Sequence, residues 1–163
     1  MLNDRRSIFP KDEDNKGFPG AEYCFACGPQ NPVGLHMRVL YEEDRAVCHL
    51  SLSKEFQGWD GIVHGGLLAT ILDEIMAHAI IHFVGEAVTT SLEIKFRAPM
   101  HIGEEVEAFG YITQRKSRGV VAKGEIRSAK DSRLIAQAEG KYIFLPEDSR
   151  CDAQDIPVLR AKY

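Results

Sequence analysis

The sequence has no block of like charges and no surplus of basic residues. Its 20 Lys and Arg are outnumbered by 24 Asp and Glu, which gives a net charge of -4. Nucleic-acid binding depends on a basic patch, so we expect no nucleic-acid partner. A small anionic ligand held by a few cations remains compatible with this composition.

The chain also lacks an uninterrupted apolar run of the roughly 20 residues that would span a bilayer. Its first 20 residues, "MLNDRRSIFPKDEDNKGFPG", contain no apolar core of the signal-peptide kind. No Gly-x-Ser-x-Gly motif is present, which disfavours a serine hydrolase. We therefore expect a cytoplasmic protein with no membrane partner and with reduced cysteines.

Cysteine is scarce, with four residues at positions 24, 27, 48 and 151. The Cys24-x-x-Cys27 spacing suggests zinc, but a structural zinc ion needs four ligands and the sequence has no second such pair. His78 and His82 have zincin spacing, yet the first His is not followed by Glu. The sequence therefore predicts no metal and no cofactor, with the cysteines as a structural pair.

With 163 residues, the chain is of a length typical of one domain. We expect a loose arm over 1–22, a domain over 23–146 and a peripheral tail over 147–163. Two strand-like runs flank "EEDR". A connector that could hold one helical turn follows, and then a helical pattern over 65–84. Four more strand-like runs follow at 87–99, 104–114, 119–129 and 133–145. The last three connections are short, so each of these four strands should pair antiparallel with the next along the chain. The fold class is then α+β: a curved antiparallel sheet wrapped around one long helix.

Placing the helical segment at 100° per residue separates its two adjacent carboxylates. One broad apolar arc holds Leu68, Leu72, Ile75, Met76, Ala79 and Phe83, and the opposite side is mixed, with Thr70, Glu74, His78 and His82. Asp73 borders the apolar arc, where its charged form is disfavoured and proton abstraction is favoured. Glu74 lies on the mixed side, which we expect to form a cleft or a dimer interface. Solvated or paired helix charges are the ordinary alternative for both.

His64-Gly65-Gly66 stands where the helix begins. The first N–H groups of a helix lack intrahelical partners, and glycine allows a ligand to approach the backbone. This is a way to build an oxyanion hole for acyl transfer. An ordinary N-terminal turn would also accept glycine.

Three stretches resemble hotdog-fold acyl-CoA thioesterases of the phenylacetic-acid-pathway thioesterase-like group. They are "CFACGPQNPVGLHMRV", "GIVHGGLLATILDE" and "TTSLEIKFRAPMHIGEEVEAFGYI". The resemblance covers roughly 24 to 145. It implies a sheet wrapped around the helix, and a homodimer, or a dimer of dimers, with its active sites at the subunit interface.

The resemblance also implies roles for individual residues. The Gly65 N–H would polarise the thioester carbonyl near His64, and Asp73 from the other subunit would act as base or nucleophile. Ser91 matches a position that helps to hold the water. The remaining candidates would bind the substrate or the CoA phosphates: Gly66, Arg97, Lys116, Ser117, Arg118 and Gly119.

The sequence departs from this pattern at one position. Several relatives have Asn six residues before the His, where this chain has Gly58; Gln57 or Asp60 could take over its role. The predicted function is hydrolysis of an acyl-CoA to a free acid and CoA. A non-catalytic acyl-thioester or lipid binder on the same scaffold is the alternative. A dehydratase is weaker, because its Asp and His spacing is not evident.

Overall fold

In a computed structural model of the protein, residues 20–145 are described. The predicted tail over 147–163, with Cys151, and all of the predicted arm before residue 20 lie outside this range. The described elements follow the predicted order of two strands, one helix and four strands. They are β1 (Val39–Tyr41), β2 (Arg45–Leu50), a 3₁₀ turn (Lys54–Phe56), α1 (Gly65–Phe83), β3 (Ala87–Phe96), β4 (Val106–Lys116), β5 (Gly119–Ser128) and β6 (Leu134–Phe144).

The strands form one antiparallel sheet in the order β1-β2-β4-β5-β6-β3. The short connections between β4, β5 and β6 give the expected neighbours. The prediction that β3 and β4 also pair is wrong, because β3 lies at the sheet edge beside β6. Their connection instead passes the start of the helix, where the carbonyl of Met100 accepts a hydrogen bond from the Val63 N–H at 2.9 Å.

The central helix α1 packs against the sheet and provides much of the core. Glycines in the sheet allow this close approach: a Cβ at Gly110 would lie 2.6 Å from the carbonyl oxygen of Ile75. The helix α1 is long and apolar enough to cross a membrane. Core helices of soluble proteins meet the same criteria of length and composition, so this is weak evidence for a membrane span. The buried residues of α1 are Leu68, Ile71, Leu72, Ile75, Met76, His78, Ala79 and Ile80.

The helical pattern misplaced two side chains. Phe83 was assigned to the apolar arc but is 37% exposed, and His78 was assigned to the polar side but is 4% exposed. Tyr41 of β1 covers His78, since its hydroxyl oxygen lies 2.8 Å from His78 Nδ1. The segment 20–37 adds a second layer beside Glu74, in which Cys27 and Met37 are buried. The mixed side is thus covered in part by the chain itself, and not only by a partner or a cleft.

Candidate active site

The start of α1 presents an unused backbone donor. His64 is the N-cap, and its Nδ1 accepts a hydrogen bond from the Gly66 N–H at 2.9 Å. The Leu67 N–H bonds to the His64 carbonyl at 2.9 Å. Within residues 20–145, the N–H of Gly65 has no hydrogen-bond partner. It is exposed, and the positive end of the helix dipole adds to its affinity for a developing negative charge.

Packing among residues 20–145 does not require a glycine at position 65. Among these residues, a Cβ there would meet the Phe96 ring alone, at 3.7 Å, which is an ordinary contact. At Gly66, a Cβ would lie 3.0 Å from Nδ1 of His64 and would disturb the cap. Gly66 therefore supports the local turn, whereas Gly65 leaves open space in front of its N–H.

A cavity of about 630 Å³ adjoins this helix start. One side is formed by the segment 20–37 and the other by the 3₁₀ turn and the first turn of α1. Its volume is within the range of small-molecule sites. The lining residues are mostly apolar: Phe25, Pro32, Val33, Ser53, Glu55, Phe56, Gln57, His64, Gly66 and Leu67.

Gly58, at the position where the family resemblance predicts Asn, packs its backbone against His64. A Cβ at Gly58 would lie 3.2 Å from both Cα and Cδ2 of His64, so a side chain would crowd the cap. Gln57 lines the cavity, and its Oε1 accepts from the Gly61 N–H at 3.2 Å. Of the two suggested replacements, Gln57 thus lies beside the candidate site, while Asp60 is exposed and does not line the cavity.

Asp73 is held by two hydroxyl groups that sequence reasoning missed. Its Oδ1 accepts from Thr89 Oγ1 at 2.9 Å and from Tyr142 Oη at 3.1 Å. Burial and the Asp73 charge raise the pKa of Tyr142 far above its usual value, so the phenol is neutral and donates. Thr89 is on β3 and Tyr142 on β6, which are paired at this point. Only the strand order and register bring them together, so no local sequence signal could have found them.

Glu74 has a separate environment, as the 100° spacing predicts. Its Oε1 lies 3.3 Å from His78 Nε2 and 3.6 Å from Cys24 Sγ. Burial alone would raise the pKa of Glu74, but hydrogen bonds with His78 and Cys27 outweigh it, and the pKa lies below its usual value. Glu74 is therefore a paired, part-buried carboxylate whose hydrogen-bond partners differ from those of Asp73.

Comparison with known proteins agrees with this architecture. The thioesterase superfamily model matches residues 60–135. A candidate esterase of Saccharolobus solfataricus is 30% identical over 107 residues, which cover 64% of this chain and 74% of that protein. The chain belongs to the thioesterase superfamily.

An acyl-coenzyme A thioesterase of Xenopus laevis is 27% identical over 145 residues, which cover 89% of this chain and 60% of that protein. The chain thus spans only about three fifths of this relative's length. Among solved structures, zebra fish thioesterase superfamily member 2 matches with a TM-score of 0.66 at 21% identity, covering 77% of this chain and 94% of that one. This likeness confirms the predicted hotdog fold of this superfamily member.

Within one chain, the two candidate catalytic residues, Gly65 and Asp73, lie far apart. Gly65 and Asp73 are eight residues apart on α1, a rise of about 12 Å. Gly65 lies near Phe96 at the end of β3, and Asp73 bonds to Thr89 near its start. One chain therefore does not bring them to a single reacting carbon. Ser91 is exposed at a β3 bulge, and no hydrogen bond joins it to Asp73 within residues 20–145.

The candidate CoA-binding turn closes the β4–β5 hairpin. Lys116, Ser117 and Arg118 are exposed, and the two cations form no ion pair with any residue from 20 to 145. Gly119 is buried, and a Cβ there would collide with the Tyr142 carbonyl, so strand packing alone accounts for this glycine. Gly119 is followed by Val120, which pairs with Tyr142. The turn thus lies toward the Asp73 end of the helix, whereas the exposed Arg97 follows β3 at the Gly65 end.

Proposed function

We propose that this thioesterase-superfamily protein hydrolyses acyl-CoA thioesters to a free acid and CoA. The proposal depends chiefly on one observation: the N–H of the exposed Gly65, at the positive end of α1, has no partner within residues 20–145, and its neighbours His64 and Gly66 line a cavity. A thioester carbonyl oxygen placed there would accept this hydrogen bond and be stabilised as negative charge develops on it. The name of the frog relative supports acyl-CoA as the substrate class.

In the proposed reaction, Asp73 supplies the second catalytic group. As a base, its carboxylate takes a proton from a water molecule, whose oxygen bonds to the acyl carbon. The C–S bond then breaks, and the CoA sulfur leaves with the electron pair and is protonated. As a nucleophile, an Asp73 oxygen would instead bond to the acyl carbon as the C–S bond breaks and the CoA thiolate leaves. Water would then hydrolyse the resulting anhydride to the free acid and the Asp73 carboxylate. The bonds from Tyr142 and Thr89 keep the carboxylate in one orientation, which suits either role.

A homodimer with shared active sites would bring Gly65 and Asp73 together. β3 is an edge strand, and edge strands with unpaired backbone groups readily pair with another chain. If two copies of β3 pair antiparallel about a two-fold axis, the Phe96 end of one strand meets the Thr89 end of the other. Gly65 of one subunit would then approach Asp73 of the partner subunit. The 55% exposure of Phe96, a large apolar side chain, supports a partner at this edge.

The exposed hairpin turn with Lys116, Ser117 and Arg118 is proposed to bind the CoA phosphates. Lys116 and Arg118 form no ion pair with any residue from 20 to 145, and the turn lies toward the Asp73 end of the helix. In the proposed dimer, that is also the end at which the partner's carbonyl-binding group would stand. Arg97, beside Phe96, would add a further cation from the other subunit.

A panel of acyl-CoAs of increasing chain length, with aromatic acyl groups included, tests the function. Release of CoA is followed with a thiol reagent, using purified full-length protein. We expect hydrolysis of at least one acyl class in proportion to enzyme concentration. Tight binding of acyl-CoA without thiol release across the whole panel would instead favour the non-catalytic binder.

A further inference from the structure

Three potential metal ligands meet where the segment 20–37 contacts α1 at Glu74. The donor atoms of Cys24, Cys27 and Glu74 all lie within 4.8 Å of one another. Cys27 is buried, and the other two are part-buried. We call these three residues and His78 the clip cluster. None of them takes part in the proposed thioester chemistry.

The fourth member, His78, stands one helical turn after Glu74 on the same face. Its Nε2 lies 3.3 Å from Glu74 Oε1, and its side chain is 6% exposed. Its Nδ1 is 2.8 Å from the hydroxyl oxygen of Tyr41. Metal-binding histidines commonly donate their second ring N–H to an oxygen, which fixes the tautomer and the ring orientation. Without an ion, Nε2 donates its hydrogen to Glu74. On metal binding the ring would take the other tautomer, with the Nδ1 hydrogen donated to Tyr41 and the Nε2 lone pair directed toward the ion.

The loop that holds the two cysteines turns tightly at the second one. The Gly28 N–H bonds to the Cys24 carbonyl at 2.9 Å, and a Cβ at Gly28 would collide with the Cys24 backbone. The turn therefore requires this glycine, and it directs both thiols toward Glu74. The sequence argument against a metal counted cysteines and histidines. It missed Glu74, because a turn-rich segment gives no signal of the helix face that it covers.

We propose that Cys24, Cys27, Glu74 and His78 bind a zinc ion that fastens the segment 20–37 to α1. Zinc takes sulfur, nitrogen and carboxylate ligands in tetrahedral structural sites, at about 2.0 to 2.3 Å. The donor atoms of Cys24, Cys27 and Glu74, which lie within 4.8 Å of one another, would approach such distances by side-chain rotation, and His78 would turn its Nε2 from Glu74 toward the ion. On binding, the two thiols release their protons to solvent, and the ion is held by two thiolates, one carboxylate and a neutral imidazole. No oxidation or reduction is involved.

The proposed ion would also support the candidate active site. The segment that it fastens contains Phe25, Pro32 and Val33, which form one wall of the cavity beside His64. Losing the ion would loosen this wall without removing any group that reacts with the substrate. We therefore expect removal of zinc to weaken substrate binding more than the chemical step. The metal measurements themselves do not depend on the proposed activity, so either proposal can fail alone.

The test begins with the metal content of reduced, full-length protein, measured by elemental analysis after dialysis. We expect about one zinc per chain, as a four-ligand structural site implies. Protein stripped with a chelator and titrated with Co²⁺ should develop a thiolate-to-cobalt charge-transfer absorption that saturates at one equivalent. This spectroscopic measurement needs no variant, so a folding defect in a variant cannot obscure it.

Cys24→Ser is the main variant, because Cys24 is only part-buried and its change is mild. It should lose the zinc and weaken the cobalt band, while Cys48→Ser, a buried cysteine on β2, should keep both. Reduced wild-type protein that contains no zinc and gives no cobalt band would overturn the proposal. So would equal zinc contents in Cys24→Ser and the wild type.

Discussion

At the scale of single residues, the sharpest distinction is between the adjacent carboxylates Asp73 and Glu74. Asp73→Asn keeps the side-chain shape and removes the charge. We expect kcat for thioester hydrolysis to fall by about 10² to 10⁴, as loss of a general base typically causes, and by more if Asp73 is the nucleophile. The melting temperature should change little, because the part-exposed Asn still accepts from Tyr142 and Thr89.

Glu43→Gln is the matched control for Asp73→Asn. It removes one carboxylate from the exposed turn between β1 and β2. Its activity should equal that of the wild type, which shows that a change in net charge alone is harmless. An Asp73→Asn protein with unchanged kcat would mean that another group is the catalytic base or nucleophile.

At the scale of elements, the sequence predicted what depends on local periodicity. The helix and all six strands are present, and their bounds differ from the predicted ones by a few residues. The 100° spacing correctly separated Asp73 from Glu74. Strand neighbours depend on contacts distant in sequence, so the place of β3 beside β6 was missed, and the Thr89–Asp73–Tyr142 contact was missed with it. The layer formed by the segment 20–37 was missed for the same reason.

The β4–β5 hairpin turn provides a prediction at this scale. If Lys116 and Arg118 bind CoA phosphates, replacing both with Ala should raise KM several-fold with little change in kcat, the pattern of lost uniform binding. The wild-type KM should also rise with salt, because exposed charges are screened. Lys130→Ala, in the exposed β5–β6 turn, is the control and should leave KM unchanged. A double variant with the wild-type KM and salt response would exclude the turn as a phosphate site.

At the scale of the whole molecule, the two halves of the proposed site lie at opposite ends of β3. This placement makes activity depend on assembly. We expect sedimentation at micromolar concentration to give a dimer or a dimer of dimers. A stable, fully active monomer would exclude a shared site, because Gly65 and Asp73 of one chain are about 12 Å apart along the helix.

Mixed dimers test the shared site directly. Gly65→Val should abolish most activity, because its side chain would fill the space before the backbone donor, while the contact with Phe96 leaves room for folding. Asp73→Asn should be nearly inactive because it lacks the carboxylate that acts as base or nucleophile. In a dimer of one Gly65→Val and one Asp73→Asn subunit, one composite site carries both defects and the other carries none. Such dimers, purified through two different tags, should therefore regain about half of the wild-type activity, as two-fold symmetry implies.

The control is each variant co-expressed with a differently tagged copy of itself, purified in the same way. These dimers carry one defect in every site, so they should stay inactive. If each subunit instead held a complete site, both sites of the mixed dimer would be defective and no activity would return. Shared sites therefore predict recovered activity in the mixed dimer, and complete sites within each subunit predict none. Sharing is possible because β3 lies at the sheet edge, where it can pair with β3 of a partner subunit.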